Sequence, residues 1–293
     1  MTSLKKYNIL YINLDKRRDR KKNIESQLKK LKLWKRQNKI TKRIKGVDGQ
    51  LLKNNSYCSK IAKEFNVKIN QMKPEFWLNR SNFKTMSMDE TKILGRVGCY
   101  LGHLRAIIYA LKNNLKNVII LEDDCIFIQG INYKFEKPPK NADMFYLGGL
   151  FWNLTKKGLY STDKNWIYID PYKFKMVCAL AYGLISQRNV KNIYNLLTAV
   201  WNEGTSIDKP ICWYKGNEKI RATSLDFMYI NFVQFYGKTY VINPCICVQS
   251  DSFISDVTNF GEITPSSPYS QKYYYNKKQL KEMKKLINSN VNL

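Results

Sequence analysis

The positions of apolar and polar residues along this chain change period from one segment to the next. Residues 7–14 form a near-continuous apolar run, which predicts a strand covered on both faces. Over residues 15–33 the period changes, and Ile24, Leu28 and Leu31 recur at helical spacing among charged residues. We therefore expect a surface helix that packs back on the first strand.

The same alternation of strand and helix patterns continues through the chain, and it predicts an α/β fold around a mostly parallel sheet. In such sheets ligands bind at the carboxyl ends of the strands. A further strand is predicted to end in the turn 45–49, and a helix through Leu101, Leu104, Ile108 and Leu111 to end near residues 113–114. Further strands are predicted at 117–121, at 144–147 (closed by Gly148 and Gly149), at 176–185, at 239–242 and at 245–248. Two more helices are predicted, one at 189–201 and one at 225–236 between an N-cap at Ser224 and a stop at Gly237.

Residues 51–90 are the least patterned part of the chain. A short helix over 59–65 followed by a polar loop through Asn79 is expected there, and we interpret the segment as an insertion or lid. No linker-like composition divides the chain. The simplest organisation is one domain over residues 1–260 and a basic, helical C-terminal appendage over residues 261–293.

The net charge of +27 raises the question of a polyanionic partner. Lysine dominates, and the basic residues are spread along the whole chain without zinc-finger spacing or an aromatic RNA-binding motif. This distribution favours dispersed surface charge over dedicated nucleic-acid binding. A weaker role in attracting a pyrophosphate or an acidic acceptor stays open.

The cysteines and the first residues bear on the compartment. Seven cysteines show no metal-binding spacing, so reduced thiols are expected. No leader-like apolar segment precedes the first strand, and no apolar run is long enough to span a bilayer. We therefore expect a cytoplasmic protein without a membrane span.

Three adjacent carboxylates, Glu122, Asp123 and Asp124, follow the buried strand at 117–121. Because each charge raises the pKa of its neighbours, a counterion is needed if all three are to be ionised. A hard divalent cation with oxygen ligands would relieve the repulsion and can bridge a diphosphate. The alternative is an inert acidic turn in contact with solvent.

Several ordered motifs surround this cluster and resemble one known family. They are Y-I-N-L-D-K-R-R-D-R at 11–20, G-V-D-G at 46–49, G-R-V-G-C-Y-L-G-H at 95–103, V-I-I-L-E-D-D at 118–124, and Asp226 followed by N-P-C-I-C-V-Q at 243–249 and Ser255-Asp256. Together they resemble glycosyltransferase family 25, which contains lipopolysaccharide galactosyltransferases and collagen hydroxylysine glycosyltransferases. Gly102 departs from the pattern, because the family usually has serine there.

The resemblance implies a GT-A type, Rossmann-like fold that binds UDP-glucose or UDP-galactose with Mn²⁺ or Mg²⁺. Its implied donor-site residues fall into four groups. These are Asn13 and Asp48 for uracil and ribose with Val47 beside them in the donor site, Arg17 and Arg20 for the pyrophosphate, Glu122 and Asp124 for ribose and metal with Asp123 supporting them, and Asp256 to complete the metal or phosphate shell. For Arg17 and Arg20, a helix start in contact with solvent is an equal alternative. His103, the single histidine, either binds the donor or is a satisfied boundary residue.

Asp226 is the candidate general base, with Asp208 in reserve. Transfer with inversion needs a carboxylate to accept the proton of the acceptor hydroxyl. Asp226 alternatively only complements a helix dipole, since it directly follows a predicted helix start. Whether transfer is inverting or retaining stays open.

The resulting hypothesis is a metal-dependent hexosyltransferase that acts on a hydroxyl acceptor. Collagen-like hydroxylysine or galactosyl-hydroxylysine is weakly favoured, and a lipopolysaccharide-type galactosyltransferase is the alternative. A catalytically inactive, anion-binding member is the second alternative. A homodimer through the aromatic residues 273–275 is a further hypothesis.

Overall fold

The computed structural model describes residues 2–34, 38–80, 90–128, 134–152, 165–201, 224–243 and 245–250. Its strands are β1 (Thr2–Ser3), β2 (Asn8–Asn13), β3 (Thr41–Lys45), β4 (Val118–Glu122), β5 (Cys125–Phe127), β6 (Lys134–Phe135), β7 (Met144–Trp152), β8 (Trp166–Tyr168), β9 (Lys175–Leu184), β10 (Thr239–Ile242) and β11 (Cys247–Gln249). Its helices are α1 (Arg18–Lys30), α2 (Asn55–Phe65), α3 (Pro74–Arg80), α4 (Glu90–Lys112), α5 (Gln187–Ala199) and α6 (Leu225–Met228). Short 3₁₀ helices span Leu4–Lys6, Gly49–Lys53 and Ile69–Met72.

The centre of the fold is a seven-stranded sheet in the order β3-β2-β4-β9-β7-β10-β8. Strands β3, β2, β4, β7 and β10 run in one direction, while β9 and β8 run against them. Two short antiparallel pairs, β1 with β6 and β5 with β11, lie apart from this sheet. The predicted α/β class with a mostly parallel sheet is confirmed, and the arrangement is compatible with a Rossmann-like GT-A fold.

Both faces of the sheet are covered, as the continuous apolar run at 7–14 predicts. Leu10 faces the layer that contains α4 and α5, whereas its neighbours Ile9 and Tyr11 face the layer that contains α1. All three side chains are fully buried. The alternation of a strand therefore divides β2 between two apolar cores.

The strand predicted at 144–147 continues past the two glycines that were expected to close it. β7 runs to Trp152, and its pairing with β9 shifts register around Gly148 and Gly149. A Cβ atom at Gly148 would lie 1.9 Å from the carbonyl oxygen of Cys247, and Gly149 has a φ of +154°. Gly148 is therefore needed for the close approach of β11 and Gly149 for the bulge against β9, and neither glycine ends the strand.

Residues 51–80 form a packed helical layer, so the predicted polar loop after residue 65 is wrong. Trp77 on α3 is buried and packs edge-on against Tyr100 and Trp201, and its indole nitrogen donates to the carbonyl of Gln71. This aromatic cluster attaches the segment to α4. Trp77 is therefore a core residue and not part of a polar loop. The sequence pattern did not predict this, because one or two helical turns are too short for their period to be recognised.

The helix predicted at 225–236 is interrupted. After α6, residues Tyr229–Gln234 adopt a π-helix, and Ser224 makes no side-chain cap hydrogen bond. Gln234 accepts from the backbone N–H of Met176 and donates to its carbonyl oxygen, which ties this turn to β9. Ser224 is the N-cap residue, as predicted, although its side chain makes no cap bond, and the wide turn is stabilised by a tertiary contact.

Two further predictions concern residues that the structure does not describe. The appendage at 261–293 and the aromatic residues 273–275 lie outside the described residues. Within the described part of the chain, no helix is both long and apolar enough to cross a membrane.

Candidate functional site

A cavity of about 370 Å³ opens where the parallel strands β2, β3 and β4 end. Asn13 and Glu122 are the last residues of β2 and β4, and the pairing register sets Ile12 opposite Glu122. The turn 46–49 after β3, one face of α4, part of β9 and the start of α6 complete the lining. This is the edge at which open α/β sheets bind ligands.

The turn 46–49 lies directly against α4 because glycine occupies both sides of the contact. A Cβ atom at Gly98 would lie 2.5 Å from the carbonyl oxygen of Val47, and one at Gly49 would lie 1.7 Å from that of Leu94. Asp48 accepts from the backbone N–H of Gln50 and forms an ion pair with Lys16 at 2.9 Å. The close packing therefore holds Asp48 at the rim of the cavity.

Asp123 is held by a buried polar cluster. Asn13 donates to Asp123 Oδ2 at 2.7 Å, and Arg20 Nη1 lies 3.2 Å from Asp123 Oδ1. The second amide hydrogen of Asn13 bonds the carbonyl of Arg17, and its oxygen accepts from Arg43. Both amide hydrogens are thus used inside the protein, so Asn13 positions Asp123, and its role toward uracil stays a prediction.

Asp124 is the carboxylate most suited to a cation. Its Oδ2 atom lies 3.3 Å from Arg20 Nη1 and accepts a hydrogen bond from Gln249, also at 3.3 Å. Its Oδ1 atom is buried and has no hydrogen-bond partner among the described residues. Burial, followed by the charge of Glu122, raises the pKa of Asp124 to about 7. An unpartnered buried carboxylate oxygen among further carboxylates fits Mn²⁺ or Mg²⁺.

Glu122 ends a chain of hydrogen bonds that crosses the core. His103 Nε2 lies 3.1 Å from Glu122 Oε1, and His103 Nδ1 lies 3.1 Å from the hydroxyl of Tyr182. Tyr229 donates to that hydroxyl at 2.9 Å. Burial would raise the pKa of Glu122, but the hydrogen bond from His103 and the charges of His103 and Arg20 hold it below its ordinary value. Glu122 is therefore the carboxylate that stays ionised.

Asp226 lies on α6 and lines the same cavity as the acidic cluster. Burial and the charge of Glu122 raise its pKa to about 6, while His103, the backbone N–H of Ala179 and Arg96 oppose the rise. A carboxylate with a pKa near neutrality is suited to accept a proton and release it again. The arrangement supports an acid–base role.

Most residues implied by the family resemblance meet at this cavity. Those that line it are Asn13, Arg20, Val47, Asp48, His103, Glu122, Asp123, Asp124 and Asp226. Arg17 is the exception, because its guanidinium pairs with Asp19 at 2.8 Å and it is not among the lining residues. Arg20 therefore lines the cavity and Arg17 does not, and the pyrophosphate role of each stays a prediction. Asp208 and Asp256 lie outside the described residues.

Sequence reasoning missed several lining residues. Arg96 and Cys99 lie on the face of α4 that also carries His103. Helical spacing within the motif at 95–103 is the signal that could have identified them. Gln249 was quoted as a motif residue without a role, yet it bonds Asp124. Cys178 on β9 also lines the cavity, and no pattern in the sequence indicated it.

Comparison with known proteins identifies the family of the chain. A family model described as glycosyltransferase family 25 (LPS biosynthesis protein) matches residues 6–203. A search of curated proteins gives no match. The family match spans well over half of the 293 residues and includes β2, α1, α4 and the acidic cluster. The chain therefore belongs to glycosyltransferase family 25 and is a glycosyltransferase.

Proposed function

We propose that this protein transfers glucose or galactose from a UDP-sugar to a hydroxyl acceptor, with Mn²⁺ or Mg²⁺ as cofactor. The observation that carries the proposal is the buried carboxylate oxygen of Asp124 without a partner, in a cavity that also holds Asp226. The first group suits a cation and a diphosphate, and the second suits proton transfer. Together they would serve a metal-assisted transfer with inversion from a nucleotide sugar.

The donor half of the site is built from Asp124, Glu122 and Arg20. Asp124 and Glu122 would hold the cation, with Asp123 fixed beside them by Asn13. When bound, the cation supplies Lewis-acid stabilisation of the charge that develops on the leaving diphosphate. Arg20 contributes a fixed positive charge at the same edge, since it is buried between two carboxylates.

Asp226 is proposed as the general base. As the acceptor oxygen attacks the anomeric carbon, its O–H proton moves to the Asp226 carboxylate. The new oxygen–carbon bond forms while the bond from the anomeric carbon to the diphosphate oxygen breaks, and UDP leaves with that electron pair. The raised pKa of Asp226, about 6, makes the carboxylate a stronger base than an ordinary aspartate.

The first experiment measures release of UDP from UDP-glucose and UDP-galactose with Mn²⁺, with and without acceptors. Asp226→Asn should lower turnover by about 10²–10⁴-fold, because the general base is lost. Calorimetric affinity for UDP with Mn²⁺ should be unchanged. Asp170→Asn is the matched control, since Asp170 does not line the cavity. Near-normal turnover of Asp226→Asn would show that another group accepts the proton.

The acceptor is addressed by a parallel screen. Saccharide acceptors follow from the family description as a lipopolysaccharide biosynthesis protein. Hydroxylysine and galactosyl-hydroxylysine peptides test the collagen-like prediction. Turnover with either class supports the transferase, and the anomeric configuration of the product, read by NMR, distinguishes inversion from retention. If no donor releases UDP with any acceptor, the inactive, anion-binding alternative is favoured.

A further inference from the structure

A thiol, an imidazole and a carboxylate meet at the inner wall of the cavity. Cys99 and His103 lie four residues apart on α4, and therefore on one face of the helix. Glu122 approaches them from the end of β4. The ligand atoms of the three side chains all lie within 4.8 Å of one another. The sequence gives no sign of this group, because its third member comes from a different element.

Two of the three distances between ligand atoms match those of a tetrahedral metal centre, and the third, between Cys99 and His103, is at most 4.8 Å. Cys99 Sγ lies 3.7 Å from Glu122 Oε1, and His103 Nε2 lies 3.1 Å from the same oxygen. Zinc bonds of about 2.3 Å to sulfur and about 2.0 Å to nitrogen and oxygen place the tetrahedral sulfur–oxygen pair about 3.5 Å apart and the nitrogen–oxygen pair about 3.3 Å apart. Both observed distances agree within a few tenths of an ångström.

The surroundings of His103 are those of a metal ligand. Its second ring nitrogen lies 3.1 Å from the hydroxyl of Tyr182, which Tyr229 in turn contacts. Such a contact fixes the orientation of the ring while the first nitrogen is used for an ion. His103 is only 1% exposed, so the imidazole cannot turn into solvent.

We propose that Cys99, His103 and Glu122 bind a thiolate-preferring divalent cation of the Zn²⁺ class, with the fourth position open to the cavity. All three residues line the cavity, so a water molecule or a ligand oxygen has access to that position. This site shares Glu122 with the one at Asp124, but it adds a thiolate and an imidazole, whereas the Asp124 site offers only oxygen and suits hard cations. The inference does not depend on the proposed transfer reaction.

Binding changes the protons of the three side chains in a defined way. Without an ion, burial and the charge of Glu122 raise the pKa of the Cys99 thiol, and Cys99 donates to Glu122. When the ion binds, the S–H proton of Cys99 and the Nε2–H proton that His103 donates to Glu122 would both pass to solvent, and the freed lone pairs of sulfur and nitrogen would bind the ion. His103 binds through the lone pair of Nε2 and carries its proton on Nδ1, facing Tyr182.

Cobalt(II) reports such a site directly, because a thiolate bound to tetrahedral Co²⁺ absorbs in the near ultraviolet and strongly in the visible. The full chain, freed of metal with a chelator, is titrated with Co²⁺. We expect both absorptions to saturate at one ion per chain, to be removed by Zn²⁺, and to persist with Mg²⁺. No thiolate–cobalt absorption in the wild-type protein would overturn the proposal.

One variant tests the thiolate ligand, and two other cysteine variants serve as controls. Cys99→Ser should abolish the near-ultraviolet band, with folding checked by circular dichroism. Cys178→Ser, in the same cavity, and Cys247→Ser, in the core, should retain it. Loss of the band in a control variant together with its retention in Cys99→Ser would assign the ion to other cysteines. Because the readout is absorption, a chain that transfers no sugar is still tested fully.

Discussion

Replacing Asp124 with asparagine should stabilise the metal-free protein at neutral and alkaline pH. Asp124 is 5% exposed, and one of its oxygens has no partner among the described residues. Its pKa rises from an ordinary 3.8 to about 7, first because of burial and then because of the charge of Glu122. The folded protein therefore binds a proton between these two values that the unfolded chain does not bind.

The sign and size of the effect follow from this difference. A group whose pKa is raised in the folded state favours folding at low pH, and that contribution is lost as the pH rises through about 7. When this contribution is lost completely, the free energy of unfolding is lower by about 4 kcal/mol. An asparagine of the same shape carries no charge, so its advantage over aspartate should reach about 4 kcal/mol near about pH 8 and fall to about 2 kcal/mol near about pH 5.

The assay is urea unfolding of wild type and Asp124→Asn in the presence of a chelator over this pH range. The difference between the two curves isolates Asp124, because Asp226 titrates in both proteins. Asp15→Asn is a control of opposite sign, since hydrogen bonds from Lys45 and Arg43 lower the pKa of Asp15 to about 2. Equal stability differences at all pH values would refute a buried, proton-binding Asp124.

Manganese provides the second half of the same experiment. A cation that binds only the folded state raises the free energy of unfolding as its concentration exceeds Kd. Wild type should therefore gain stability when Mn²⁺ replaces the chelator, whereas Asp124→Asn should gain little and should lose transferase activity. Equal stabilisation of both proteins would place the ion elsewhere.

Two further substitutions test the packing and the hydrogen bonds of the site. Gly98→Ala should cost about 1–3 kcal/mol of stability by urea unfolding and weaken UDP binding, because its Cβ would meet backbone at 2.5 Å. Gly102→Ala should cost less, since its Cβ would meet a movable side-chain methyl at 3.1 Å, and equal losses would contradict the argument. Tyr182→Phe removes the partner of His103 Nδ1 and should lower the free energy of unfolding by about 1–3 kcal/mol. Tyr240→Phe, with a partly exposed hydroxyl, is its control, and an equal loss there would contradict a special role for the buried bond.

Local pattern predicted the elements whose burial is uniform. The strand at 117–121 and the helix ending near residues 113–114 correspond to β4 and α4, because long apolar stripes have one stable arrangement. Prediction failed at the bulge of β7 and at the π-helix after α6. In both places the backbone follows a contact with a distant residue, and no short window of sequence contains that residue.

The site shows the same division. The position of Glu122, Asp123 and Asp124 at the sheet edge follows from the apolar run before them, since the first polar residues after a buried strand must lie where the strand emerges. The choice between Arg17 and Arg20 depends on helix phase near a helix start, where the boundary is uncertain by a residue or two. Arg17 forms an ion pair with Asp19, whereas Arg20 forms one with Asp123 in the acidic cluster.

By itself, the sequence determined the α/β class, the acidic cluster at a strand end and the family resemblance, because period, strand burial and motif spacing are local properties. Only the tertiary structure decided that Arg20 forms ion pairs with the acidic cluster and that Asn13 donates a hydrogen bond to Asp123. It also decided that Asp226, about a hundred residues further along the chain, lines the same cavity. The pKa values of these carboxylates depend on burial and on distances to other charges. Those quantities exist only once the chain has packed.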